Sequence, residues 1–126
     1  LGDAGSTSFG FIVAFLLVYF TLPEKRYFEP VLAIWIVTLP MFDLLSVILK
    51  RFSKKIKIYY PDKNHIHHIF LQKGFSQLQT LIIISFLSIF LNLFGHFIYY
   101  NFGNEISILS FIFTFIIYFF ILKKII

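Results

Sequence analysis

Long runs of apolar residues alternate with short polar segments along this chain. Four runs approach the roughly 20 residues that a helix needs to cross the hydrocarbon core of a bilayer. They predict four transmembrane helices, at residues 9–22, 30–49, 78–99 and 106–122. Helices are expected because lipid cannot satisfy exposed backbone groups, and because the runs lack the two-residue alternation of membrane strands. The pattern predicts an all-α, polytopic membrane helix bundle.

The second predicted span contains two residues that are unusual in an apolar helix. Pro40 predicts a kink, because proline removes one hydrogen bond of the helix. Asp43 is a carboxylate within the membrane, which is costly unless it has a function or a partner in the bundle. It lies about 9 Å from the predicted end of the span, at Leu49. Two interpretations stay open, namely support of a site at the membrane surface and a structural hydrogen bond between helices.

The composition supports a membrane protein of one domain. The chain has 126 residues, of which 59% are hydrophobic and 13% are charged. A soluble domain of this size cannot hide that much apolar surface, because small folds leave a large share of their area in water. Cysteine is absent, so thiols give no information about the redox compartment.

Basic residues concentrate in one loop, at residues 50–77, between the second and third spans. Seven of the 11 lie there, namely Lys50, Arg51, Lys54, Lys55, Lys57, Lys63 and Lys73. The excess of Lys and Arg on cytoplasmic loops places this loop in the cytoplasm, together with both termini of a four-span chain. The net charge of +5 is then explained by membrane-flanking residues, and no nucleic-acid partner is expected.

The first candidate for chemistry is the stretch "LGDAGS", residues 1–6. Gly2 and Gly5 flank Asp3, and glycines allow the backbone to approach a ligand closely. A carboxylate at this position could hold Mg²⁺, which prefers oxygen ligands. The alternative is that Asp3 and Ser6 cap the first helix.

The second candidate is "YYPDKNHIHHIF", residues 59–70, which contains three of the four histidines. If a helix begins here, His65 and His68 share a face and His67 points elsewhere. Imidazoles, Lys63 and the N–H groups at a helix start all favour an anionic phosphate. A zinc site and a solvated polar loop are the alternatives, and zinc lacks further ligands at a typical spacing. Two spans separate Asp3 from the histidines, so both segments are predicted on one membrane face, where they could form one site.

Together these segments resemble the polyprenyl-phosphate N-acetylhexosamine-1-phosphate transferases. The resemblance rests on GDAGS at residues 2–6, the second span through Asp43, and PDKNHIHH at residues 61–68. The order and spacing of these segments are similar to the C-terminal part of the family. The related peptidoglycan enzyme has three consecutive histidines, so this chain is closer to the hexosamine branch.

The resemblance implies an enzyme that transfers sugar-1-phosphate from a UDP-N-acetylhexosamine to a polyprenyl (undecaprenyl) phosphate. It implies Mg²⁺, or Mn²⁺ in its place, held by Asp3 as the catalytic and metal-binding residue. It also implies a bacterial inner-membrane location, with the site on the cytoplasmic face and a role in starting cell-envelope glycans. The substrate-binding residues would be Arg51, Lys63, Asn64, His65, His67 and His68, supported by Gly2, Gly5 and Asp43.

The chain also departs from the family pattern. The adjacent aspartate pair of the family's early cytoplasmic loop is absent, and Asp3 by itself should hold Mg²⁺ poorly. The hypothesis is therefore that this chain is a C-terminal part of such a transferase and is inactive alone. Two alternatives stay open: a small membrane transporter that uses Asp43 and the histidines as a relay, and a non-catalytic membrane remnant. The sequence leaves homo-oligomer formation undecided.

Overall fold

A computed structural model of the chain describes residues 3–53 and 65–125. These residues form five helices, α1 (Asp3–Thr21), α2 (Pro30–Ile36), α3 (Thr38–Ser53), α4 (Ile66–Gln72) and α5 (Gln77–Ile125). Strands are absent from these described ranges, which confirms the all-α prediction. Most large apolar side chains lie exposed on the helix surfaces, as expected for helices whose solvent is lipid.

Two helices, α1 and α5, are long and apolar enough to cross a membrane, and the bent pair of α2 and α3 adds a third span if it crosses as a unit. Helix α5 has 49 residues. At about 1.5 Å per residue it is more than twice as long as the roughly 30 Å hydrocarbon core. Its backbone is broken at Gly103, where φ is 82° and ψ is −174°. Glycine adopts this conformation readily, whereas residues with a Cβ do not.

Helix α5 folds back on itself at Gly103 to form a hairpin. The Trp35 ring lies 5.9 Å from the ring of Phe94 and 5.2 Å from that of Phe111. In a continuous helix these two phenylalanines would lie about 25 Å apart, too far for one indole to contact both. The two halves, residues 77–102 and 104–125, are each long enough to span. They overlap the apolar runs predicted as the third and fourth spans, and the count of four spans stays a prediction.

The predicted kink in the second span is confirmed as a break between α2 and α3, whose axes differ by 74°. Helix α2 ends at Ile36, four residues before Pro40. Proline has no N–H to donate to the carbonyl group of Ile36, and its ring would collide with that carbonyl in a regular helix. Helix α3 then starts afresh, with Met41 N–H donating to the oxygen of Val37 at 3.1 Å.

Two small buried clusters hold the bundle together. In the first, Trp35 is fully buried against both halves of α5. A Cβ atom at Gly95 would overlap the Trp35 ring, so only glycine lets the two helices approach this closely. In the second cluster, Leu39, Ile66 and Leu91 join α3, α4 and α5. This second cluster places α4, which carries the histidines, against the end of the bundle.

Candidate functional site

The centre of the candidate site is the carboxylate of Asp43 on α3. His65 Nδ1 lies 2.8 Å from Oδ2 of Asp43, and the backbone N–H of Ile66 donates to Oδ1 at 2.9 Å. Only 14% of the Asp43 side chain is exposed. Both bonds reach from the membrane-spanning region to the start of α4. Asp43 therefore fixes the histidine segment to α3.

The local sequence explains why α4 needs this support. The first N–H groups of a helix lack partners within the helix, and a capping side chain usually accepts one of them. His65 occupies the position before α4 with an extended backbone, and its own side chain makes no capping bond. Asp43 accepts the Ile66 N–H instead, from another helix. Ile66 and Ile69 are buried against the bundle, which leaves His67 on the exposed side of α4.

The three histidine rings form a row. The ring centroids of His65 and His67 are 5.9 Å apart and nearly parallel, and those of His67 and His68 are 4.1 Å apart. The prediction that His67 points away from the other two is therefore wrong. His65 precedes the helix and has an extended backbone, so helical spacing does not govern where its ring lies.

The row of imidazoles disfavours positive charge at its centre. Burial lowers the pKa of His67 below its ordinary value, and the neighbouring His68 and His65 lower it further, while Asp43 acts in the opposite direction. Like charges held this close make it costly to protonate all three rings. A bound anion would offset that repulsion, so the arrangement suits a phosphate group better than it suits an empty cationic cluster.

The remaining predicted site residues are placed as follows. Arg51 lies in the last turn of α3 beside Lys50, and both side chains are partly exposed. Gly5 lies in the first turns of α1, whose backbone begins at Asp3. The side chain of Asp3 and residues Gly2, Lys63 and Asn64 lie outside the described residues. Convergence of Asp3 with the histidines therefore stays a prediction.

Within the ranges that the structure describes, no three histidine or acidic side chains are grouped so that they could hold a metal ion. This counts against the zinc alternative at His65, His67 and His68. It does not test the magnesium prediction, which rests on Asp3.

Sequence reasoning missed the pairing of Asp43 with His65 and with the Ile66 N–H. The two segments lie 22 residues apart, and no spacing rule connects a residue within a span to a loop segment that follows it. Asp43 did carry a signal in the sequence, because a carboxylate within a membrane requires a partner. The structure confirms the hydrogen-bonding interpretation of Asp43, and because its partners belong to the predicted phosphate-binding segment, support of a site there stays a prediction.

Comparison with known proteins gives a family for the chain. No family model and no solved structure matches it. Among curated proteins it is 36% identical to one from Salmonella typhi over 68% of the chain, and 31% identical to one from Escherichia coli O157:H7 over 98% of the chain. A relative from Yersinia pestis is 33% identical over 75% of the chain. All three are named undecaprenyl-phosphate alpha-N-acetylglucosaminyl 1-phosphate transferase.

The chain is a relative of these transferases. This confirms the resemblance drawn from GDAGS and PDKNHIHH. The aligned part covers 23%, 34% and 26% of the three relatives, so the chain spans about a quarter to a third of their length. That it represents a C-terminal part of such an enzyme stays a prediction.

Proposed function

We propose that this chain supplies the phosphate-binding part of a transferase that moves GlcNAc-1-phosphate from UDP-GlcNAc to a polyprenyl phosphate. The main support is the histidine row on α4, fixed by Asp43 at the end of a lipid-facing bundle. The two substrates of this proposal, undecaprenyl phosphate and the N-acetylglucosaminyl 1-phosphate group, are those for which the relatives are named. The reaction would begin cell-envelope glycan synthesis at the cytoplasmic face of a bacterial inner membrane.

The position of the histidine row suits one substrate that is anchored in lipid and another that is dissolved in water. A polyprenyl phosphate keeps its tail in lipid and its phosphate at the membrane surface, whereas a nucleotide sugar arrives from water. The row is attached to α3 through Asp43, and Lys50 and Arg51 in the last turn of the same helix add positive charge to this part of the chain. Charge-assisted hydrogen bonds from such groups are the strong interactions that orient phosphates. The proposed role of His65, His67 and His68 is therefore to bind and orient the acceptor phosphate and the diphosphate.

The proposed metal is Mg²⁺, with Mn²⁺ as the alternative, held by Asp3. Both oxygens of Asp43 already accept hydrogen bonds, so this carboxylate is poorly placed to serve as a metal ligand. When bound, the ion would neutralise charge that develops on the transferred phosphoryl group. The resemblance implies an adjacent aspartate pair that is absent from this sequence, so Asp3 by itself should hold Mg²⁺ poorly. We therefore propose that the 126-residue chain binds phosphates but does not catalyse the transfer of GlcNAc-1-phosphate by itself.

The test separates phosphate binding from turnover. The purified chain in detergent is titrated with farnesyl phosphate, and farnesol serves as the uncharged control with the same tail. We expect farnesyl phosphate to bind and the double variant His67→Ala/His68→Ala to lose about tenfold or more in affinity, as expected when charge-assisted hydrogen bonds are removed. His96→Ala is the matched control, because His96 lies in α5 and bonds to Asn92 of its own helix.

A second assay measures transfer of labelled GlcNAc-phosphate from UDP-GlcNAc to undecaprenyl phosphate, with and without Mg²⁺. We expect no turnover from the chain alone. Robust turnover would refute the proposed inactivity while supporting the reaction. Equal binding of farnesol and farnesyl phosphate, or full binding by the double variant, would refute the phosphate site. Ion uptake into vesicles that depends on Asp43, without phosphate binding, would favour the transporter alternative.

A further inference from the structure

The bond between Asp43 and His65 determines which nitrogen of the imidazole is left for chemistry. A carboxylate can only accept hydrogen bonds, so Nδ1 of His65 must donate the bond of 2.8 Å to Oδ2. In a neutral imidazole the other nitrogen, Nε2, then carries a lone pair and no proton. Because 35% of the His65 side chain is exposed, that nitrogen belongs to a ring that a ligand can reach.

The ring is held in this state from several sides. Oδ1 of Asp43 accepts the Ile66 N–H, so the carboxylate cannot rotate away without breaking the start of α4. The ring of His67, which belongs to α4, stacks on the ring of His65, and the two ring centroids are 5.9 Å apart. From α5, Tyr118 lies close enough to interact electrostatically with Asp43. Among the described residues, Asp43 and His67 thus contact the His65 ring, and Tyr118 acts on the carboxylate that holds it.

We propose that Asp43 is a positioning residue that holds His65 in the Nδ1–H tautomer, so that Nε2 accepts the proton of a phosphate monoester. In this step the phosphate monoanion gives its hydroxyl proton to Nε2. The products are an imidazolium, stabilised by Asp43, and a phosphate dianion, and no bond to phosphorus forms or breaks. The second pKa of a phosphate monoester is about 6, so its hydroxyl proton can be given up near neutral pH.

A purely structural role for Asp43 makes a different prediction. If Asp43 only caps α4, an asparagine serves equally well, because its carbonyl oxygen can accept the Ile66 N–H. Its NH₂ group, however, would donate to His65 Nδ1 and force the proton onto Nε2. A substitution of this kind in the Asp–His pair of serine proteases preserves the geometry, inverts the tautomer and lowers kcat by about 10⁴. Asp43→Asn therefore separates capping from control of the tautomer.

The experiment records the ring nitrogens of ¹⁵N-histidine-labelled full chain in detergent by NMR, at a pH where the rings are neutral. We expect wild-type His65 to be protonated on Nδ1 and Asp43→Asn to be protonated on Nε2. His96 is the internal control, because its Nδ1 lies 2.9 Å from a backbone carbonyl oxygen, that of Asn92. Its Nδ1–H tautomer should be the same in both proteins. The backbone amide signal of Ile66 reports whether the cap survives in the variant.

The second arm adds farnesyl phosphate near pH 6.5. In the wild type we expect His65 to convert to imidazolium, and in Asp43→Asn to remain largely neutral with about tenfold weaker binding, the loss of one charge-assisted hydrogen bond. The proposal is wrong if the wild-type His65 ring is protonated on Nε2, or if wild type and Asp43→Asn have the same tautomer. The first of these outcomes is measured on wild type alone, so it does not depend on whether the variant folds. The phosphate's identity rests on the proposed function, but the tautomer does not. If the tautomers are as expected but farnesyl phosphate does not bind, the proposed proton transfer and the proposed function are both wrong. The positioning of His65 by Asp43 would still hold.

Discussion

Two side chains eight residues apart tie the bent α2–α3 pair to distant parts of the chain, and they do so in opposite environments. Trp35 is fully buried, and its Nε1–H donates at 2.9 Å to the equally buried hydroxyl of Ser107. Asp43 is partly exposed and accepts from His65, which is more exposed still. The first bond joins two side chains that are fully buried. The second leaves a polar ring at the surface, held in one orientation.

This difference separates packing from chemistry within one pair of helices. A buried donor that meets a buried acceptor satisfies both groups and leaves no capacity for a ligand. A carboxylate that holds one edge of an imidazole leaves the other edge available. Mutations at the Trp35 cluster should therefore destabilise the bundle without affecting ligand binding, whereas mutations at the Asp43 cluster should act locally, on α4 and on ligand binding.

The largest effect is expected from Gly95→Ala, because the added Cβ would overlap the Trp35 ring. Overpacking of this kind costs about 1–3 kcal/mol, and more where backbone must move. Trp35 is the only tryptophan in the chain, so its fluorescence during thermal unfolding in detergent reports this contact directly. Gly10→Ala is the matched control, because nothing lies within 4 Å of a Cβ at Gly10. Equal melting temperatures for the two variants would contradict the close approach of α2 and α5.

Asp43→Ala should disrupt α4 and leave the Trp35 cluster intact. The change removes the acceptor for both His65 Nδ1 and the Ile66 N–H, and a donor left without a partner costs about 1–3 kcal/mol when buried. Hydrogen exchange should accelerate in residues 66–72, while exchange in residues 77–102 and Trp35 fluorescence stay unchanged. In Asp43→Asn, which keeps an acceptor for the Ile66 N–H, residues 66–72 should exchange slowly, as in wild type. Uniform acceleration along the whole chain would show that Asp43 is simply part of the core.

The sequence predicted the features that depend on a single segment. Uninterrupted apolar runs predicted the spans, because a helix in lipid needs only its own backbone bonds. Pro40 predicted the break in the second span, because its effect on the carbonyl of Ile36 is local. The first span was placed at residues 9–22, whereas α1 begins at Asp3, because small and polar residues continue a helix without adding to its apolar run.

The features that depend on two segments meeting were not predicted. Neither the hydrogen bond between Trp35 and Ser107, which lie 72 residues apart, nor the bond between Asp43 and His65 has a signature in spacing. The orientation of His67 was predicted wrongly for the same reason, because His65 is placed by Asp43 and not by a helix. Polar residues that the sequence could only flag as unusual thus became interpretable once their partners were known.

Ser107→Ala should cost stability but leave farnesyl phosphate binding unchanged. The variant leaves the indole N–H of Trp35 buried without an acceptor, at a cost of about 1–3 kcal/mol. The melting temperature should fall, the Trp35 emission should change, and the titration with farnesyl phosphate should match wild type. Ser8→Ala is the control, since that hydroxyl is exposed and donates to the carbonyl of Ala4 within α1. Loss of ligand binding in Ser107→Ala would show that the two clusters are coupled.

The smallest effect is expected from the pH dependence of α4, because His67 is exposed. The slight burial of the His67 ring, followed by the neighbouring His68 and His65, lowers the pKa of His67 in the folded chain below its ordinary value of 6.5. Between these two pKa values the unfolded state binds more protons than the folded state, so stability rises with pH. Lowering the pH through about 6.5 should therefore loosen α4.

The measurement compares hydrogen exchange in residues 66–72 of wild type and His67→Gln at the same pH, which cancels the intrinsic pH dependence of exchange. The ratio of the two rates should be near one at pH 7.5 and should rise for wild type at acidic pH. Added farnesyl phosphate should reduce that rise, because a bound anion offsets the repulsion within the histidine row. A ratio that stays constant with pH would mean that the row tolerates positive charge without a ligand, which would remove the electrostatic reason for placing a phosphate there.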